Sequence, residues 1–573
     1  MEDELLKHQD SFYILATSTR ADDRTRVLKH GETFAVFDRF GDVQPVGLNE
    51  QGLYHDGTRF LSRLEVRMGG RRPLLLSSTV KEDNDLLAVD LTNPDLAARD
   101  GTLLLLRGQV HLFRAKFLWR GVCYERLRLS NFALEPTAID LSVSFDADFA
   151  DVFEVRGSKR ERRGQTLPPS IEGGTVVLAY RGLDEVVRRA RLTFDPPPAD
   201  LSGARARFEL MLPPRETVTL LLTIGCEVGD SGARHTLPVS SDSSFGELQA
   251  ELHRTQAQQC LIRSPNSQLN EWMNRSLADL HMMITETSAG PYPYAGVPWY
   301  SAPFGRDGII TALELLWLEP ELARGVLGFL AATQATTTNS AQDAQPGKIL
   351  HEARGGEMAA LGEVPFLRYY GSVDATPLFV MLAGAYLRRT ADRATAEKLW
   401  PNVEQAMRWI DGDGDPDGDG FVEYQRMSDT GLVQQGWKDS TDSVFHRDGS
   451  FAEGPIALCE VQAYVYAARL QGAVLGVEDQ EVPAEQPDIL DELGLGRPDE
   501  AAEGGLAGRQ LRLGPVLEHR CFSRAGGSRR PPIAPRTTSG SSRRRRTHSR
   551  RRRRSRGGGV APPRPSGGTR APR

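Results

Sequence analysis

Cysteine is scarce. The 573 residues hold five, Cys123, Cys226, Cys260, Cys459 and Cys521, odd in number, far apart and without a CxxC pair. That speaks against a disulfide scaffold and a zinc ribbon, and for a reducing, cytoplasmic setting. Long apolar runs are missing: none approaches the ~18 residues of a membrane helix. The opening Met1-Glu2-Asp3-Glu4 is acidic and lacks the basic-then-apolar layout of a signal peptide. Basic charge is short in most of the chain. Residues 519–573 hold 18 Arg and no acidic residue, so the first 518 carry 52 basic against 76 acidic groups, a net −24. An acidic body of that kind does not read as a nucleic-acid-binding fold.

What is present suffices for several cores. With 39% hydrophobic residues, the length fits two to four domains of roughly 150 residues each. Up to about residue 225 the apolar period is two. Ile139, Leu141, Val143 and Phe145 alternate with Asp140, Ser142, Ser144 and Asp146; Leu64, Val66 and Met68 repeat this, as do Phe208, Leu210, Leu212 and Val218, Leu220, Leu222, Ile224. Many short alternating runs predict an antiparallel β-sandwich over 1–230.

The period then changes. Leu269, Trp272, Met273, Leu277, Leu280 and Ile284 mark one face of a helix, and Ile309, Ile310, Leu313, Leu316 and Trp317 a second. Thr376-Pro377 reads as an N-cap and first helical position, Leu399 to Ile410 as a further helix, and Gly454-Pro455 as the start of an apolar helix to about Leu470. About six helices are expected between 265 and 475, without βαβ alternation. Residues 476–573, with Arg543–Arg546 and Arg550–Arg554, offer almost no apolar anchor and are expected to be disordered.

Chemistry-bearing residues cluster between the helices. In Trp299-Tyr300-Ser301-Ala302-Pro303-Phe304-Gly305-Arg306-Asp307, an Arg-Asp pair beside aromatic rings suits a sugar, whose hydroxyls take bidentate hydrogen bonds. Alternatively, Asp307 caps the next helix and Arg306 is a surface charge. His351-Glu352-Ala353-Arg354-Gly355-Gly356-Glu357 lines a cleft or is a solvated loop; it lacks the His-Glu-x-x-His of a metalloprotease. In Asp411–Tyr424 a calcium loop begins at Asp415, Asp417 and Asp419, but its twelfth position is Arg426 or, counted from Asp413, Tyr424. A tight turn into a short hairpin, Phe421–Tyr424, is the favoured reading, and no metal or cofactor is expected. Finally, Trp437-Lys438-Asp439 places a carboxylate beside an indole that can desolvate it, as a general acid needs, or is an ordinary turn.

Phe304-Gly305-Arg306-Asp307, then Tyr369–Leu378 (YYGSVDATPL), DPDGDGFVEY and Gly436-Trp437-Lys438-Asp439-Ser440, in that order, resemble bacterial amylo-α-1,6-glucosidases, glycogen-debranching-type glycoside hydrolases. Phe37–Val43 and Gly52–Ser62 look like their N-terminal β-domain. The resemblance implies a β-sandwich followed by an (α/α)6 barrel over 260–475, here partial. It implies inverting hydrolysis of an α-glucan by two carboxylates roughly 6.5–9.5 Å apart. It maps the general acid onto Asp439 and non-reducing-end glucose binding onto Arg306 and Asp307, with Trp299, Glu357, Asp374 and Trp437 lining the pocket.

The chain also departs from that family. The relatives have twelve barrel helices, and their base is a Glu of the second half, for which no counterpart is found here. The Arg/Ser/Gly/Pro tail looks like a GC-rich coding region read out of frame; the alternative is an RNA-binding tail. The expectation is an α-glucan hydrolase, weak or inactive for want of a base. Two competing functions are a non-catalytic carbohydrate-binding remnant and RNA binding through the tail.

Overall fold

The computed structural model describes residues 5–8, 11–14, 25–44, 50–97, 103–229, 241–258, 262–476 and 511–512. Of the tail expected to be disordered, Leu511–Arg512 instead forms a two-residue strand parallel to Ile262–Arg263, and Gly476 ends the last helix; the rest of it, with Cys260 and Cys521, lies outside the described residues. The alternating segments form strands as expected. Arg63–Met68, Thr137–Asp146, Arg205–Leu212 and Asp200–Leu201 make one antiparallel sheet, in which Leu141 pairs with Phe208 and Met68. The larger sheet has eight antiparallel strands, with Thr217–Val228, Val122–Asn131 and Val110–Trp119 at its centre. Between the sheets, Leu64, Val66, Val143 and Phe145 share one core with Leu112, Leu129, Leu220 and Ile224. A third sheet of four strands, Arg26–His30 to Thr58–Leu61, carries the Glu32 and Asp56 turns.

Nine α-helices are described. The first two belong to the β part: α1 (Val152–Arg156), opened by a capping box between Asp151 and Glu154, and α2 (Ser241–Gln258). The sequence reading missed α2, although Phe245, Leu248 and Leu252 share a face that packs on Phe117 and Tyr124. The others are α3 (Ser267–Met283), α4 (Gly305–Leu315), α5 (Pro320–Ala332), the one-turn α6 (Glu357–Ala360), α7 (Ala375–Thr390), α8 (Arg393–Ile410) and α9 (Cys459–Gly476). Six of these exceed ten residues, which is the number expected. Ile309, Val326, Leu330, Phe379, Val403, Trp409 and Val465 form their common core.

Two helix readings are corrected. Helix α7 begins at Ala375 behind Asp374, not at Thr376-Pro377, and Asp374 caps no N–H because its carboxylate bonds Arg306 and Ser372. Thr376 Oγ1 instead accepts the Ile349 N–H at 3.0 Å. Helix α9 begins at Cys459 because Ile456 is spent pairing with Tyr424 in an isolated antiparallel bridge. That bridge is also all that forms of the expected Phe421–Tyr424 hairpin, whereas the tight turn is present: Asp415 accepts the N–H groups of Gly418 and Gly420 at 3.0 Å each. Helix α3 lies where expected, but none of its residues is buried.

Candidate active site

Helix α4 starts one residue before Arg306, which puts the guanidinium and Asp307 in its first turn. The N-cap is Phe304, so Asp307 is not a cap. Helix α7 delivers Asp374 at its own N-terminus, and the loop before α9 delivers Asp439. Three carboxylates thereby surround one guanidinium: Asp374 at 3.1 Å, Asp439 at 3.8 Å and Asp307 at 4.0 Å from Arg306 nitrogens. Asp374 is 2% exposed, and Ser372 Oγ donates to its other oxygen at 2.5 Å. Burial disfavours the Arg306 cation, but the charges of Asp374, Asp307 and Asp439 outweigh it and raise its pKa. Burial pushes the Asp307 carboxyl above its ordinary range against the pull of Arg306.

The aromatic residues differ from each other. Trp437 is 55% exposed, with the Lys438 ammonium 5.1 Å from the centre of its ring, and Asp439 is 49% exposed. The indole therefore leaves the carboxylate about half open to water rather than enclosing it. Trp299 is partly buried against Val152, Phe153 and Met358, in the seam with the β part. Its neighbour Tyr300 is exposed beneath the Arg156 guanidinium, which is 5.3 Å from the ring centre.

Glu357 stands apart from the group. It accepts from Tyr180 Oη at 2.9 Å, the Leu183 N–H at 2.7 Å and Arg160 at 3.1 Å, all in the β part. None of these partners is shared with Arg306. The backbone beside it is close-packed: Gly356 sits at φ +94°, and a Cβ there would come within 2.6 Å of Asp151 Oδ2, the oxygen that accepts the Met358 N–H.

Behind the group lies a second set of charges, from the His351–Glu357 run that the sequence reads as a cleft lining or a solvated loop; His351, Glu352 and Arg354 are buried. Glu352 is buried and accepts from Arg354 at 2.6 Å. Burial lifts its pKa despite Arg354, and the Asp439 charge adds to the lift. His351, between the rings of Phe304 and Tyr369, is fully enclosed; burial, with Arg306, Arg354 and Lys348 nearby, pushes it down to about 3. A cavity of about 190 Å³ opens between the Glu32 and Asp56 turns and the Pro298–Pro303 loop, with Arg354 on its wall. Arg306, Asp374 and Asp439 do not line it.

The N-terminal domain of some glycogen debranching enzymes matches residues 28–223. No curated protein sequence matches the chain. Among solved structures, a human-microbiome protein assigned as a kojibiose phosphorylase superposes with a TM-score of 0.54 at 10% identity, over 82% of this chain and 65% of that one. A bacterial glucoamylase bound to acarbose gives 0.38 at 11% identity, over 68% and 58%. A gh92 family glycosyl hydrolase gives 0.31 at 12%, over 75% and 65%. The chain thus spans less than two thirds of the length of each. Its β part followed by helices is the fold of the first of these, and the match over residues 28–223 is to the same kind of N-terminal domain that the sequence motifs resemble.

Proposed function

We propose that the chain acts on α-glucans as a glycoside hydrolase of the amylo-α-1,6-glucosidase type. The observation that carries this reading is the convergence of Asp307, Asp374 and Asp439 on Arg306. In the proposal, residues 1–230 are the β domain, 260–475 a partial (α/α)6 glycosidase domain and 476–573 a separate tail, in a cytoplasmic protein. Asp439 is the general acid. Its proton passes to the glycosidic oxygen as the C1–O bond breaks, and water attacks C1 from the opposite face, losing its own proton to a base. Arg306 and Asp307 hold sugar hydroxyls, Asp374 orients Arg306, and the exposed Trp437 ring offers a face on which a pyranose stacks.

The Arg306 group does not itself provide the base. Glu352, a candidate for it, is buried and held by Arg354, and Asp442 is exposed on the acid loop. Turnover by the 573-residue chain is therefore expected to be slow, since one missing acid–base group costs ~10²–10⁴ in rate. The test is incubation with maltooligosaccharides and limit dextrin, with and without inorganic phosphate, measuring glucose and glucose 1-phosphate, beside Asp439→Asn. Slow glucose release abolished by Asp439→Asn supports the proposal. Phosphate-dependent glucose 1-phosphate would replace hydrolysis by phosphorolysis, and glucan binding without either product would leave a carbohydrate-binding protein.

A further inference from the structure

The carboxylate of Asp343 sits where three segments of the helical part cross. It is 1% exposed. One oxygen accepts the Tyr369 hydroxyl at 2.7 Å and the Gln435 side-chain amide at 3.2 Å. The other accepts the backbone N–H groups of Met427 at 2.5 Å and Ser428 at 2.9 Å. The Tyr369 hydroxyl also accepts the Leu432 N–H at 2.7 Å, and the Gln435 carbonyl accepts the Val373 N–H at 2.9 Å. Two strings of bonds leave this point. One runs through Gln435, whose carbonyl holds the Val373 N–H, to the adjoining Asp374. The other runs through Met427, Ser428, Leu432 and Gln435 to the turn that ends at Asp439.

Small residues let the backbone approach. A Cβ on Gly371 would stand 2.2 Å from the Tyr369 hydroxyl, and one on Gly431 would stand 2.5 Å from it and 2.7 Å from Asp343 Oδ2. The charge type also matters. Two donors meet each oxygen, which suits an ionised carboxylate, an acceptor at both atoms. An Asn of the same shape would turn its NH2 toward two donors and leave them unpaired in a buried place.

We infer that Asp343 is a positioning residue that sets the Asp439 loop against Asp374 across Arg306. This rests on the proposed function for its catalytic consequence. Asp343 itself is enclosed and contacts no substrate in this reading.

The test compares the full chain with Asp343→Asn and with Gly431→Ala, which crowds the same point but keeps the carboxylate. Hydrogen exchange of the Met427, Ser428 and Leu432 amides and acrylamide quenching of Trp437, taken as the difference from Trp437→Phe, read the loop without substrate. Maltotriose kinetics read the chemistry. Both variants are expected to exchange those amides at least ~10-fold faster and to lose about 10- to 100-fold in kcat with little change in KM, as misplacement of a catalytic group does. Unchanged exchange and quenching in both variants would overturn the inference, and so would a loosened loop with kcat within about twofold of the unmodified chain. If the unmodified chain turned over no glucan, the proposed function alone would fall, and exchange and quenching would still decide whether Asp343 holds the loop.

Discussion

The Tyr180 hydroxyl of the β part donates to the Glu357 carboxylate of the helical part at 2.9 Å. The bond joins residues 177 positions apart, and Arg160 and the Leu183 N–H complete the carboxylate's shell. Burial alone would lift the Glu357 pKa, but these three donors outweigh it and hold it below the usual range. A depressed carboxylate contributes stability above its unfolded pKa of about 4.3, and that stability is lost as the pH falls through the folded value. Glu357→Gln is expected to cost about 1.5–3 kcal/mol at pH 7 and less as the pH falls below about 4. Urea melts at pH 7 and pH 3.5 measure this; an equal loss at both would show that the charge of Glu357 is not what matters.

A second prediction concerns the middle of the large sheet. Lys116 lies directly across from Glu125 in the register, and Arg114 reaches the same carboxylate at 2.7 Å. Arg114 also bonds Asp42 at 2.5 Å, and all four groups are at most 2% exposed. Burial opposes the Glu125 charge, but Arg114 and Lys116 overcome it and keep its pKa low. Glu125→Gln leaves two buried cations without their shared partner and is expected to cost about 3–5 kcal/mol. Replacing Asp42, Arg114, Lys116 and Glu125 together by apolar residues of similar volume is expected to cost much less, because the desolvation penalty disappears with the charges. Chemical denaturation of both variants checks this; a quadruple variant as unstable as Glu125→Gln would count against it.

His351 predicts an acid weakness. Burial, with Arg306, Arg354 and Lys348 close by, pushes its pKa down to about 3 from an ordinary 6.5. A histidine kept neutral in the fold supports stability above pH 6.5, and that support drains away as the pH falls toward 3, because the unfolded chain takes up the proton first. The loss between pH 6.5 and 4.5 is expected to be about 2 kcal/mol, and His351→Gln should remove this slope. Melting temperatures across that interval decide the matter; parallel curves for the two proteins would refute the assignment.

The local patterns were legible in the sequence and the long-range partners were not. Alternation located Thr137–Asp146 to within two residues, because one face of that strand meets the core and the other does not. The Arg306–Asp307 motif and Asp439 are 132 or more residues apart in sequence, yet their chemistry marked both, and one guanidinium joins them. For Glu357, a carboxylate in a polar run, nothing nearby in sequence shows that its donors lie at 160, 180 and 183. For Trp299, an indole beside Tyr300, the sequence does not show that Val152 and Phe153 of the β part pack against it. The helical face of Leu269 and Trp272 was read correctly as apolar, but apolar spacing does not say what packs on it: Leu269 is 37% and Trp272 68% exposed.

The last prediction isolates the charge that holds the candidate site together. Arg306 is 11% exposed and faces Asp374, Asp439 and Asp307 at once. Arg306→Met keeps most of the volume and removes the cation, so Asp374 is left buried beside two like charges. Loss of one partner from a buried pair is expected to cost about 3–5 kcal/mol at pH 7. The sign of the pH dependence is distinctive. Burial already lifts the Asp307 pKa, and Arg306 is the group that restrains it. Without that restraint the Asp307 carboxyl titrates higher still, so its folded-state pKa rises further above the unfolded value. A raised carboxyl stabilises the fold at low pH and ceases to do so as the pH climbs through the folded pKa. His351 changes in the same sense, because one of the charges that depress it is gone. Arg306→Met should therefore recover much of its lost stability between pH 7 and pH 5, the interval in which the unmodified chain weakens. Arg306→Lys keeps the charge but not the forked geometry, and should fall between the two with little of the inverted slope. Melting temperatures of the three proteins at pH 5, 6 and 7 test the argument, and a Met variant that weakens on acidification as the unmodified chain does would show that Arg306 is not the common partner of these carboxylates.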